Sequence, residues 1–263
     1  MSANSSSEKP VVLFVPGGVM PGDLVYGPLL SATGDNIRPI VKELEVYAAE
    51  APPPGYGLET EAEAIRRTAD AAGAERFHLV AYSAGGAMSL AFTARFPERL
   101  KSLALIEPAW IGALTPADAE DWAALGRAMT LPPDERMRAF MLWHMRPGVP
   151  PPAMRTPPGP PPPWMAKRPA GLEALSRVYN TEHIDQSRFR LMTGPVYYAL
   201  GGLSTRFFER EATTLAGLFP DFQLEEYAGR SHFDPPHRAE PERFAQALRA
   251  LWLRAEAAPA GQQ

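Results

Sequence analysis

Residues 80–86 read VAYSAGG, with Ser83 set between small residues directly after the apolar run 77–81 (FHLVA). A serine hydroxyl is a weak nucleophile at neutral pH. It becomes effective when a base lies within hydrogen-bond reach, a third group orients that base, and donors await the oxyanion that forms. The run 77–81 reads as a buried strand and 85–96 (GGAMSLAFTARF) as a helix closed by Pro97, so Ser83 is expected on a strand-to-helix corner at the carboxyl end of a sheet. Ala81 and Gly85 are small enough for that corner. Ala84 would present its backbone N–H at the helix start, where negative charge is favoured. The pattern is A-x-S-x-G rather than the stricter G-x-S-x-G elbow. A capping or packing serine is the alternative, and the flanking strand and helix favour the nucleophile.

Five histidines could supply the base: His78, His144, His183, His232 and His237. His78 falls inside the strand that leads to Ser83 and reads as structural. His144 and His183 belong to an aromatic-rich middle region, where each could line a pocket or face solvent. His232 lies in the loop of FQLEEYAGRSHFDPP, where Gly229 and Ser231 suit a tight turn toward Ser83; His237 is second to it. Trp110, Trp122, Trp143, Trp164, Met141 and Met145 suggest an apolar pocket or, equally, plain core. Tyr82 and Trp110, with Trp143 and His144, are the residues we assign to substrate contact.

The elements that must position these groups follow from the apolar pattern. Residues 11–15 (VVLFV) form a short β-branched run ending in Pro16-Gly17-Gly18, as expected of a strand buried on both faces and a turn. A weaker strand is expected within 36–48, a surface helix at 58–72, and a strand at 100–106 that ends at Glu107-Pro108. Strand, helix and strand at this spacing predict right-handed crossovers in a parallel sheet. Regular structure resumes with a strand at 196–200, a helix at 206–218, a strand at 222–227 and a helix at 241–254. Between them, residues 146–169 hold eleven prolines in 24 positions, which excludes a long helix or a central strand. The fold class is therefore α/β, a mainly parallel central sheet flanked by helices. The expected organisation is a tail at 1–9, one core from 10–109 and 191–255, a proline-rich cap inserted at 110–190, and a flexible tail at 256–263.

Composition narrows the function. A chain of 263 residues with formal charge −4 and no block of like charges has no electrostatic footprint for nucleic acid or an anionic membrane. It contains no cysteine, so disulfides, thiolate metal sites and cysteine nucleophiles are excluded. No stretch is long and apolar enough to span a bilayer, and MSANSSSEKP is unlike a secretory signal. The expectation is a cytoplasmic protein acting on a small neutral or weakly charged molecule, with no metal or organic cofactor; no pattern in the sequence sets an oligomeric state.

Four ordered features, VVLFVPGG, AYSAGG, LALIEPAW and GRSHFDPP, make residues 10 to 252 resemble the α/β-hydrolase family. The resemblance implies a Ser–acid–His triad in that chain order, with Ser83 as nucleophile and His232 as general base. It also implies an oxyanion donor from the backbone of the turn after the first strand, with Gly18 the first choice and Val19 the second, alongside Ala84. The family's most frequent acid position, after the strand that follows the cap, holds no carboxylate between residues 201 and 205. Some relatives place the acid at the end of the preceding strand, where this chain has Glu107; Glu209 and Asp234 are the alternatives. A serine at the elbow implies hydrolysis of a carboxylic ester through an acyl-enzyme. Other reactions on the same serine (carbon–carbon cleavage, perhydrolysis, acyl transfer), a non-catalytic small-molecule-binding relative, and a scaffold presenting the proline-rich segment are the rival readings.

Overall fold

The computed structural model describes residues 9–112, 115–153 and 160–257. Six strands form one sheet: β1 (Val11–Val15), β2 (Arg38–Val41), β3 (Phe77–Tyr82), β4 (Leu100–Ile106), β5 (Val196–Gly201) and β6 (Phe222–Tyr227). Their spatial order is β2-β1-β3-β4-β5-β6, and every neighbouring pair runs parallel. Parallel neighbours need crossovers, and helices supply them: α1 (Gly22–Thr33), α2 (Leu58–Ala71), α3 (Ala84–Arg95) and α7 (Arg206–Ala216), while the short α8 (Pro236–Ala239) and α9 (Pro241–Ala257) follow the last strand. Between β4 and β5 the chain adds α4 (Pro116–Met129), α5 (Pro133–Trp143) and α6 (Arg168–Thr181).

The inner strands β1, β3, β4 and β5 are mostly apolar because both faces of the sheet are covered there, whereas the edge strands β2 and β6 carry exposed and polar positions. Val12, Phe14, Val80, Ala104, Ile106, Tyr197 and Ala199 turn toward α1 and α9, where Tyr26, Leu29, Phe244 and Leu248 meet them. The alternate residues Leu13, Val15, Leu79, Ala81, Leu103, Leu105 and Tyr198 face α2, α3, α7 and part of the β4–β5 insertion. This two-sided burial anchors every strand end from which a site residue projects.

Two expectations need correction. The strand expected within 36–48 pairs only over Arg38–Val41, and Glu45–Tyr47 closes into a 3-10 turn; Pro39, without an N–H, suits an edge strand and limits its ladder. The segment Gly22–Thr33, for which no element was expected, is the helix α1, although it carries Pro28. The proline-rich stretch contains no long helix among its described residues, and residues 154–159 lie outside the described ones.

Candidate active site

Ser83 is the first residue after β3 and Glu107 the first after β4, its neighbour in the sheet. Both have positive φ, 51° for Ser83 and 41° for Glu107, and they are the only non-glycine residues with positive φ among those described. Such conformations cost on the order of 1–3 kcal/mol each and persist only where the surroundings impose them. Here the surroundings are visible. The Ser83 N–H donates to the Ile106 carbonyl at 3.1 Å, and the Ala109 N–H donates to the Ser83 carbonyl at 2.9 Å. A Cβ on Gly85 would lie 2.4 Å from the carbonyl oxygens of Val15 and Pro16, and one on Gly86 would lie 2.8 Å from the Cα of Pro108. Only glycines let the start of α3 wedge between the ends of β1 and β4.

His232 arrives from the other side of the sheet's end. The Ser231 N–H and Asp234 carbonyl, with the reverse pair at 3.1 Å, close a tight turn around it, and the Tyr82 hydroxyl donates to the His232 carbonyl. The imidazole spans the gap between the two strained residues: its Nε2 is 3.0 Å from Ser83 Oγ and its Nδ1 3.0 Å from Glu107 Oε2. Glu107 Oε1 accepts the Gly201 N–H at 2.7 Å. A carboxylate that accepts on both oxygens fixes the tautomer, with the proton on Nδ1 and the Nε2 lone pair toward the serine.

The ring is enclosed by aromatics. Phe208 stacks on it at 4.8 Å and 6°, His144 at 4.5 Å and 29°, and Phe233 meets it edge-on at 5.4 Å. His232 and Glu107 are each only 2% exposed, whereas Ser83 is half-buried. Burial pushes the Glu107 carboxyl up to about 8, opposed by the Gly201 N–H and by the Ser204 hydroxyl, which lies nearby without meeting strict hydrogen-bond geometry. Burial pushes the His232 imidazole down to about 3. His144 is likewise held well below the ordinary imidazole range, by burial first and then by the proximity of His232. Its Nδ1 is 2.8 Å from the Phe140 carbonyl, which makes that nitrogen the protonated one.

The turn after β1 lies against this constellation. A Cβ on Gly17 would be 3.2 Å from Ser83 Cβ, and one on Gly18 would be 3.5 Å from Ala84 Cβ, so Gly18 and Ala84 are neighbours. Gly18 is buried, and its carbonyl accepts the Tyr47 hydroxyl at 2.6 Å. Val19, 38% exposed, turns its side chain outward. Leu172 and Leu175 of α6 cover the same glycine.

The remaining expected residues are placed as follows. Tyr82 packs on His232 at 5.2 Å. Trp110 is 2% exposed and lies 5.7 Å from Tyr179, within the core. Trp143 donates from Nε1 to the Asp121 carbonyl and packs on Phe207 and His144. Of the alternative acids, Glu209 pairs with Arg146 and Asp234 with Arg230 at 2.7 Å. His78 is fully buried against Ser102 at 2.8 Å, and His237 is buried beside Tyr26 and Tyr82. His183 lines a separate cavity of about 360 Å³ between α2, α3 and residues 183–188, which none of Ser83, Glu107 and His232 lines. Sequence reasoning missed Tyr47, Phe208 and the Gly201 N–H. The last is a backbone group and carries no signal in residue type.

Among the described residues no group of three or more His, Asp or Glu side chains is arranged to hold a metal ion, and no helix is long and apolar enough to cross a membrane.

A family model described as the alpha/beta hydrolase fold matches residues 10–141. No curated protein matches the sequence. Among solved structures the chain is similar to MenH from S. aureus (TM-score 0.67, 14% identity, 96% of this chain and 96% of that one). It is also similar to a hydrolase from Pseudomonas aeruginosa PA01 (TM-score 0.64, 17% identity, 94% and 91%) and to naproxen esterase from Bacillus subtilis (TM-score 0.61, 16% identity, 94% and 84%). At these identities the likeness is one of fold.

Proposed function

Because the chain belongs to the α/β-hydrolase fold family, we propose that it is a serine hydrolase that cleaves carboxylic esters of small apolar or aromatic substrates through an acyl-enzyme. The observation that carries this reading is the continuous chain Ser83 Oγ, His232 Nε2, His232 Nδ1, Glu107 Oε2, with both links at 3.0 Å. The Glu107 carboxylate, bonded to His232, stands in for the acid that residues 201–205 lack and favours this reading over a non-catalytic relative.

The chemistry follows from the tautomer. His232 Nε2 takes the Ser83 proton as Oγ attacks the ester carbonyl; Glu107 balances the imidazolium that forms. The N–H groups of Gly18 and Ala84 receive the oxyanion, in a setting sheltered from water where such donors count most. Val19 is the second choice for the first of these. His232 then hands the proton to the leaving alcohol, and water repeats the sequence to release the acid. The walls nearest the serine are apolar: Leu172 and Leu175 over Gly18, and Phe140 and Phe233 at 5.8 Å from each other beside His144. They suit an acyl or aryl group better than a charged one. We assign Tyr82, His144, Trp110 and Trp143 as substrate contacts or their immediate support, and α4 to α6 as the cap.

The test is a fluorophosphonate probe with peptide mapping. We expect one adduct, on Ser83, abolished in Ser83→Ala and competed by short-chain p-nitrophenyl esters. A folded protein that takes no label would make the binding relative the better reading.

A further inference from the structure

We propose that Tyr47, clamped by α6, is a positioning residue for the Gly18 loop, so that the β4–β5 insertion sets the oxyanion-binding geometry as well as covering the site. This rests on the serine-hydrolase reading above and extends it to residues outside the triad.

The turn Pro16-Gly17-Gly18 must be glycine-rich to pass beside Tyr82 and Ser83, where a Cβ on Gly17 would come within 3.0 Å of the Tyr82 ring. Glycines leave the backbone free to choose other conformations, so a donor carried by such a turn needs an external tether. The tether here is the Tyr47 hydroxyl, donating to the Gly18 carbonyl at 2.6 Å across 29 residues of sequence. Tyr47 is 5% exposed and sits on the 3-10 turn Glu45–Tyr47. Burial raises its phenol to about 12 despite the opposing Arg168 charge, so the hydroxyl keeps its proton and donates across the working pH range.

What holds Tyr47 is one stripe of α6. Arg168, Gly171, Leu172 and Leu175 recur at the i, i+3, i+4, i+7 spacing of a single helix face. Arg168 places its guanidinium 3.7 Å from the Tyr47 ring centroid, with Trp164 at 5.3 Å and the Glu43 carboxylate at 3.5 Å. Its side chain is 8% exposed, and its Nε and Nη1 have no hydrogen-bond partner, so the aromatic faces together with the Glu43 carboxylate offset the burial of this cation. At Gly171 a Cβ would lie 2.0 Å from Tyr47 Cε1: the ring occupies the space that the missing side chain leaves. One turn further on, Leu175 and Leu172 would stand 3.0 and 3.4 Å from a Cβ on Gly18. The same helix face therefore seats both the tether and the loop it tethers. A cation over the ring also withdraws electron density from the phenol, which strengthens its donation to the carbonyl.

The test compares wild type with Tyr47→Phe and Gly171→Ala. Tyr47→Phe removes only the hydroxyl; Gly171→Ala keeps it and displaces the ring. With p-nitrophenyl butyrate we expect kcat to fall roughly 5- to 50-fold in both, less than the loss of a whole oxyanion donor, with KM within about twofold. A boronic acid that mimics the tetrahedral state should lose the same factor as kcat/KM, whereas a non-reacting amide analogue of the substrate should bind as before. A merely structural role would lower the melting temperature without that split. Unchanged kcat in folded Tyr47→Phe, or equal weakening of both ligands, would overturn the proposal while leaving Ser83 labelling intact. A wild-type protein that neither turns over esters nor takes a fluorophosphonate would overturn the serine-hydrolase reading as well.

Discussion

Replacing Glu107 by glutamine tests the site at its least conventional position. Glu107 accepts two donors, the Gly201 N–H on Oε1 and His232 Nδ1 on Oε2. Glutamine has one oxygen and one NH₂. The rigid Gly201 N–H claims the oxygen, so the NH₂ faces His232 Nδ1 and turns that nitrogen into the acceptor. The ring proton then sits on Nε2, which can no longer take the Ser83 proton. A wrong tautomer in intact geometry costs roughly 10³–10⁴ in kcat. The pH profile supplies a second signature. In the wild type, losing the proton shared by the pair leaves a buried net negative charge, so the acid limb of kcat/KM lies above the ordinary imidazole value of 6.5, in the direction of the Glu107 value of about 8. In Glu107→Gln, gaining a proton creates a buried cation, so the limb of the residual activity drops below 6.5, toward the His232 value of about 3. Stability should move oppositely to activity. Between about 6.5 and 8 the folded wild-type pair keeps one proton while the unfolded chain has released both the Glu107 and the His232 protons, so its stability falls as pH rises through that window. Glutamine has no proton to lose, and the variant should be more stable at pH 8 by roughly 1–3 kcal/mol. Steady-state kinetics from pH 5 to 9 and urea unfolding at pH 5 and 8 read all three. A kcat within tenfold of wild type with an unmoved limb would refute the assignment. Glu209→Gln and Asp234→Asn, which break only the pairs with Arg146 and Arg230, should leave kcat within about twofold.

Other expectations follow from single contacts. Ser83→Gly should abolish turnover and raise stability by about 1 kcal/mol, since glycine accepts a φ of 51° without strain; thermal melts of Ser83→Gly against Ser83→Ala isolate the backbone effect. Gly85→Ala must push a methyl to 2.4 Å from two carbonyl oxygens and should cost at least about 3 kcal/mol or prevent folding, as seen by yield and circular dichroism. His144→Ala should expose a face of the His232 ring and lower kcat/KM by about tenfold, and His144→Phe, which restores the stack, should recover most of it.

Legibility in the sequence tracked physical redundancy. β1, β4 and β6 match their expected limits because each is a run bounded by glycine, proline or polar stops. The helix α1 escaped because Gly22, Gly27 and Pro28 speak against a helix locally, and tertiary packing of Val25, Tyr26 and Leu29 overrides them. The insertion's α4 did carry a start signal, Thr115 and Asp118 in a capping box, hidden by the proline-rich surroundings. For the site, Ser83 and His232 announce themselves through flanking elements. Glu107 is visible only as a carboxylate at the end of a strand, a position that many salt-bridge residues share. Tyr47 and Gly201 could not be read at all, because they act through a hydroxyl on a distant carbonyl and through a backbone N–H.

The placement of the proposed acid, Glu107, directly after β4 bears on how the protein comes into being on the ribosome. Nucleophile and acid lie 24 residues apart in sequence, on the ends of adjacent paired strands, and the Ser83 N–H is already bonded to β4. By the time residue 110 has emerged, a nascent chain holds both, but no base. The imidazole follows 125 residues after Glu107, in the loop that leaves β6, the strand paired with β5. On the proposed serine-hydrolase reading, translation order would act as a fuse: truncated or half-made chains would carry an inert serine, and the ability to attack an ester would be conferred by one of the last segments to be synthesised.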